Sequence, residues 1–161
     1  MRRAFSILLV VATGLVAAVV AAAGQPPATT FAAVLTADQE VPACAIATGA
    51  ARGHFVAHVV DAAAGTVEWR LVANNLPGST TAAHIHSAPA GVPGGVVQPL
   101  TFAAGAENGV IGTGSFTNPG LVAAMQANPG GYYVNVHTAL PDGCPPGVVR
   151  GQLDLQGPSN N

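Results

Sequence analysis

The sequence predicts an all-β fold: an antiparallel sandwich or barrel with one short helix. Three observations carry that expectation. Half of the 161 residues are hydrophobic, many of them β-branched, which suits packed strands and argues against disorder. Twenty Gly and thirteen Pro divide the chain into short segments bounded by turn signals. Within those segments apolar and polar residues alternate with the period of a strand. The length allows one domain.

The elements follow in order. Met1-Arg2-Arg3 is a short basic start. Ala4 to Val20 is apolar and uncharged, Ala21-Ala22-Ala23 offers small residues for cleavage, and Gly24-Gln25-Pro26-Pro27 breaks any helix. Residues 1–23 therefore read as a secretory signal peptide. The alternative is an uncleaved anchor, since Ala4–Ala23 is just long enough to span a bilayer. Residues 24–29 are a lead-in, residues 30–156 the domain and residues 157–161 a tail.

Phe31 to Thr36 is the first strand. In Gly53 to Val60, Phe55, Ala57 and Val59 face one way and His54, Val56, His58 and Val60 the other. Asp61 to Gly65 is a turn. Thr66 to Val72 returns with Val67, Trp69 and Leu71 on one face, completing a hairpin. Thr81 to His86 is the next strand, followed by the Pro/Gly loop Ala88 to Gly95. Strands are also expected over Val96–Phe102, Val110–Phe116, Tyr132–Thr138 and Val148–Leu155. Asn118-Pro119-Gly120 opens the only helical candidate, Leu121–Ala127, and Asn128-Pro129-Gly130 closes it.

Composition excludes several functions. The five cations are Arg2, Arg3, Arg52, Arg70 and Arg150, with no Lys, so no basic nucleic-acid surface exists. No nucleophile elbow G-x-S-x-G and no phosphate-binding glycine motif is present. The seven acidic residues are scattered, without the paired spacing of a glycosidase. The reading is of a protein that is not an enzyme.

The residues with chemical potential are histidines. His84 and His86 form A-H-I-H, and His137 lies in N-V-H-T. Side chains at i and i+2 of a strand share a face, about 6–7 Å apart at Cα, which is a chelating separation. If the two strands are neighbours, three imidazoles converge, a ligand set that suits Zn or Cu. The alternative is that these rings bond to nearby backbone and steady the loop Ser87 to Gly95. His54 and His58 are four apart, about 13 Å on a strand, and do not chelate one ion together.

Arg150, Gln152 and Asp154 share a strand face, either solvated or with Arg150 donating to a buried carbonyl or carboxylate as an architectural pin. Cys44 and Cys144, both in Pro/Gly-flanked loops, read as one disulfide in an exported chain. A Cys–metal site is the alternative, though no C-x-x-C spacing supports it.

At these residues the chain resembles a known family. Phe31-x-Ala-x-Leu with Val41-Pro42, Ala83-His84-Ile85-His86, Asn135-Val136-His137-Thr138 and Gly147-Val-Val-Arg-Gly-Gln-Leu153 together resemble the chordin (CHRD) domain over roughly Thr30 to Leu155. The resemblance implies an immunoglobulin-like antiparallel β-sandwich of Greek-key type outside the cytoplasm, without established enzymatic activity or cofactor. It carries over His84, His86, Asn135, His137, Arg150 and Gln152 as motif positions without chemical roles. The chain departs from the pattern at Asp142-Gly143-Cys144-Pro145-Pro146, an insertion that would reach Cys44. A looser resemblance, the H-x-H strand motif, is to copper–zinc superoxide dismutase, but no bridging His and no zinc-binding Asp can be placed.

Two functions follow as expectations. One is an extracytoplasmic module, secreted or in the cell envelope, holding a protein or glycan with its loops. The other is Cu or Zn binding through His84, His86 and His137. Membrane contact is expected only through residues 1–23, if uncleaved.

Overall fold

The computed structural model describes residues 30–47, 49–139 and 147–156. The segments expected as signal peptide, lead-in and tail, together with Cys144 and the rest of 142–146, lie outside the described residues. No helix among the described residues is long and apolar enough to cross a membrane.

Among the described residues, nine strands form one antiparallel sheet: β1 Thr30–Thr36, β2 Arg52–Asp61, β3 Thr66–Asn74, β4 Thr80–Ser87, β5 Gly95–Pro99, β6 Gly109–Thr117, β7 Tyr132–Thr138, β8 Val149–Gln152 and β9 Asp154–Gln156. The order is β5-β4-β7-β8-β1-β2-β3-β6, with β9 also on β1. The sheet curls so that both halves contribute to one core in sandwich fashion. Phe31, Leu35, Phe55 and Leu71 come from one half, and Ile85, Val134, Val136 and Val149 from the other. The all-β class with one short helix is therefore what the chain adopts.

The hairpin expected from alternation is present. Phe55, Ala57 and Val59 of β2 and Val67, Trp69 and Leu71 of β3 are buried, while His54 and His58 are exposed. Asp61 Oδ1 accepts from the Ala64 amide at 2.9 Å, and Gly65 takes φ +66° to close the turn. Helix α1 spans Pro119–Ala127, two residues earlier than expected. The Asn118 side chain caps it by accepting from Leu121 N at 3.0 Å, and Leu121, Val122 and Met125 are buried.

Two strands differ from expectation. The segment expected as Val96–Phe102 leaves the ladder after Pro99 and bridges the sheet's two ends. Leu100 N donates to Ala83 O on β4, and Ala103 N to Ile111 O on β6. The final strand, expected as Val148–Leu155, breaks at Leu153, whose amide donates to Tyr132 O. There the chain stops pairing with β7 and continues along β1, so Asp154 stands exposed on β9 rather than in line with Arg150 and Gln152. Gly151 sits where any side chain would strike the Val34 carbonyl, which lets β8 lie close against β1.

Candidate metal centre

The site begins with strand register. In β4, His84 and His86 alternate with the buried Ala83 and Ile85 and project from the face opposite the core. Antiparallel pairing of β4 with β7 sets Ala82 against His137, His84 against Asn135 and His86 against Tyr133. His137, Asn135 and Tyr133 therefore occupy the same face of β7. Pairing of β7 with β8 then adds Arg150 opposite Asn135 and Gln152 opposite Tyr133. The result is a polar layer across β4, β7 and β8.

In that layer the three histidines converge. One ring nitrogen from each lies within 4.8 Å of the others. Ring centroids are 5.1 Å apart for His84–His137, 5.5 Å for His84–His86 and 6.1 Å for His86–His137. Three nitrogens around one ion at 2.0–2.1 Å stand about 3.4–3.6 Å apart, so small side-chain rotations complete such a shell. Among the described residues, no carboxylate or thiolate joins the three.

Their protonation suits coordination. Burial and the charge of His86 hold His84 below the usual imidazole range. His86 is lowered by burial and by Arg150, against an opposing contribution from its bond to Gly94. His137 is pushed down to about 4 by burial and by its two histidine neighbours. All three are neutral at pH 7, and neutral imidazole is the ligating form. His84 Nδ1, His86 Nε2 and His137 Nε2 are buried without a hydrogen-bond partner.

The tautomer of His86 is fixed. Its Nδ1 lies 2.9 Å from Gly94 O, a carbonyl that only accepts, so Nδ1 carries the proton and Nε2 the lone pair. Gly94 ends the loop Ala88–Gly94, whose carbonyls are tied to the same layer. Arg150 Nη1 donates to Val92 O at 3.0 Å and Nη2 to Pro89 O at 2.9 Å. Gln152 Nε2 donates to Ala88 O and to Gly130 O, each at 2.7 Å. Arg150 thus pins the loop rather than only its own strand.

Sequence reasoning missed three members of this layer. Tyr133 stacks on His86, and its hydroxyl accepts from Gly94 N at 3.0 Å. The Arg150 guanidinium lies 3.5 Å from the centroid of the Tyr133 ring. Extending the alternation of β7 back from His137 would have found Tyr133. Glu40 is 4% exposed and accepts from Asn135 Nδ2 at 3.4 Å. Burial pushes its pKa up to about 8, against the lowering effects of Asn135 and Arg150. Gly94 closes the set, and nothing in its loop's composition marks it. His54 and His58 sit on the outer face of β2 and take no part; His58 Nδ1 instead meets Thr30 Oγ1 at 3.0 Å. Cys44 is buried.

Comparison with known proteins supplies one match. The family model for the CHRD domain matches residues 31–153, which run from the second residue of β1 through β8 and include all residues of the polar layer. No curated protein and no solved structure matches the chain. With a match over most of its length, the chain belongs to the CHRD domain family.

Proposed function

We propose that the chain is an exported, non-enzymatic module that holds one transition-metal ion, copper or zinc, through His84, His86 and His137. Family membership supports a non-enzymatic module. The metal reading rests on one cluster: His84, His86 and His137 each bring a ring nitrogen within 4.8 Å of the others, and each ring holds a buried nitrogen with no hydrogen-bond partner.

A buried polar atom left unpartnered costs roughly 1–3 kcal/mol. Where each of the three presents a lone pair, a single cation meets all three. A water donating both hydrogens meets two, and meets the third nitrogen only where that nitrogen carries its own proton. A proton serves one, and protonating His137 is opposed by burial and by both neighbours. A metal cation serves all three and leaves a further position for an outside ligand. The alternative, that the rings are structural hydrogen-bonding groups, is favoured only at His86, whose Nδ1 bonds Gly94 O. Dismutase chemistry is not part of the proposal, because no bridging histidine or aspartate joins the three among the described residues.

Export rests on residues 1–23, and sequencing the N-terminus of the exported protein tests it, with a start near Gly24 expected. The metal reading is tested by metal titration of the folded protein beside His86→Ala and His137→Ala. One equivalent of copper or zinc is expected, bound much more weakly by both variants. No binding by folded wild-type protein would overturn the proposal and point to protein or glycan partners at the loops.

A further inference from the structure

Building on the three-histidine reading, we propose that the site selects a monovalent ion, Cu(I), over the divalent ions that imidazole also binds. The observation is the charge around the donors. Three neutral nitrogens bring no negative charge to the ion. The fixed charge beside them is positive. Arg150 is 1% exposed, and its guanidinium is separated from His86 by a single ring, Tyr133, stacked on both.

Among the described residues no carboxylate joins the three donors, and Glu40 is the one buried carboxyl. Its attraction to Arg150 is outweighed by burial, which raises its pKa to about 8 and favours the protonated form at pH 7. Asp38, Asp61, Glu68, Glu107 and Asp154 are all exposed, where solvent screens them. Arg150 makes its hydrogen bonds to the neutral acceptors Val92 O, Pro89 O and Gln152 Oε1.

Repulsion between an ion and a fixed cation scales with the ion's charge. A divalent ion meets twice the repulsion of a monovalent one, and it also loses more hydration on entering a half-buried site without an anionic ligand. Zn, Cu, Fe and Ni all suit imidazole. Of these, copper is the one with an accessible monovalent state in water. A trigonal set of three imidazoles suits that ion, which tolerates low coordination numbers.

The test measures the affinities of Cu(I), Cu(II) and Zn(II) for the folded protein by competition with chelators of known strength, with Cu(I) under anaerobic reducing conditions. Cu(I) is expected to bind at least about tenfold more tightly than either divalent ion. Arg150→Met and Arg150→Lys separate charge from support, since both lose the guanidinium fork and only the first loses the charge. The Cu(I)/Cu(II) affinity ratio is expected to narrow in Arg150→Met and to hold in Arg150→Lys. Equal or tighter binding of Cu(II) or Zn(II) by wild-type protein overturns the inference and leaves the metal site standing. Equal narrowing in both variants overturns the charge argument. If either variant fails to fold, the wild-type ratio alone decides. Absence of all metal binding overturns the proposed function itself, a different result.

Discussion

The Tyr133 ring lies flat on His86, with centroids 4.8 Å apart and planes 9° from parallel. His86 is thereby held from two sides, by the stack and by the Gly94 carbonyl. Tyr133→Leu removes the stack and is expected to weaken metal binding about 10–100-fold, the usual scale for losing an outer-shell support. Tyr133→Phe keeps the stack and loses only the hydroxyl bonds to Gly94, so it should lie between Leu and wild type. Competition titration checks the order; equal affinities for Leu and wild type would remove Tyr133 from the site.

Arg150 holds the loop Ala88–Gly94 by two hydrogen bonds from a buried charge. Arg150→Ala leaves those carbonyls without their donors. It is expected to destabilise the apoprotein by about 1.5–3 kcal/mol, the range for hydrogen bonds to charged groups. The urea midpoint at pH 7 measures this, and an unchanged midpoint would contradict the pinning role.

How much of this was legible in the sequence depends on range. The β2–β3 hairpin was, because alternation at Phe55, Ala57, Trp69 and Leu71 is local and its turn carries Asp61 and Gly65. The pairing of His84 with His86 was legible for the same reason, as an i, i+2 relation. Their meeting with His137 was legible only on the condition that the two strands are neighbours, because it depends on the register of β4 against β7 across some fifty residues. The break at Leu153 was hidden too: it marks a change of partner strand, and the local pattern runs on through it. Glu40 carries no signal at all, since Asp-Gln-Glu-Val-Pro reads as exposed loop.

His137 makes stability pH-dependent. Its folded pKa of about 4 lies below the ordinary 6.5, so between those values the unfolded chain binds more protons. Stability of the apoprotein is therefore full above pH 6.5 and falls as pH drops toward 4, by at most about 1.4 kcal/mol per unit. His137→Asn should flatten that part of the profile in urea titrations; an unaltered slope would show that His137 is not held neutral.

Glu40 acts in the opposite sense. Its folded pKa of about 8 lies above the ordinary 4.5, so the folded state binds more protons between them. Stability from this group is full below pH 4.5 and is lost as pH rises through 8. Glu40→Gln is expected to raise the urea midpoint at pH 9 and to change it little at pH 4. A variant less stable than wild type at pH 9 would mean that the carboxylate is satisfied in its buried position.

Cys44 and Cys144 are proposed to be bonded, on the same reading of residues 1–23 as an export signal. A bridge closing about 100 residues is worth on the order of 4–5 kcal/mol in the chain-entropy account. Reduction should lower the urea midpoint sharply. Two thiols open to alkylation in the native, exported protein would contradict the pairing.

The central claim is that His84, His86 and His137 hold one ion together, and X-ray absorption of copper-loaded protein tests it most directly. The account predicts three nitrogen neighbours at about 2.0 Å with the multiple-scattering signature of imidazole, falling to two in His137→Ala. A first shell of water or carboxylate oxygens, or a spectrum unchanged by that substitution, would contradict it.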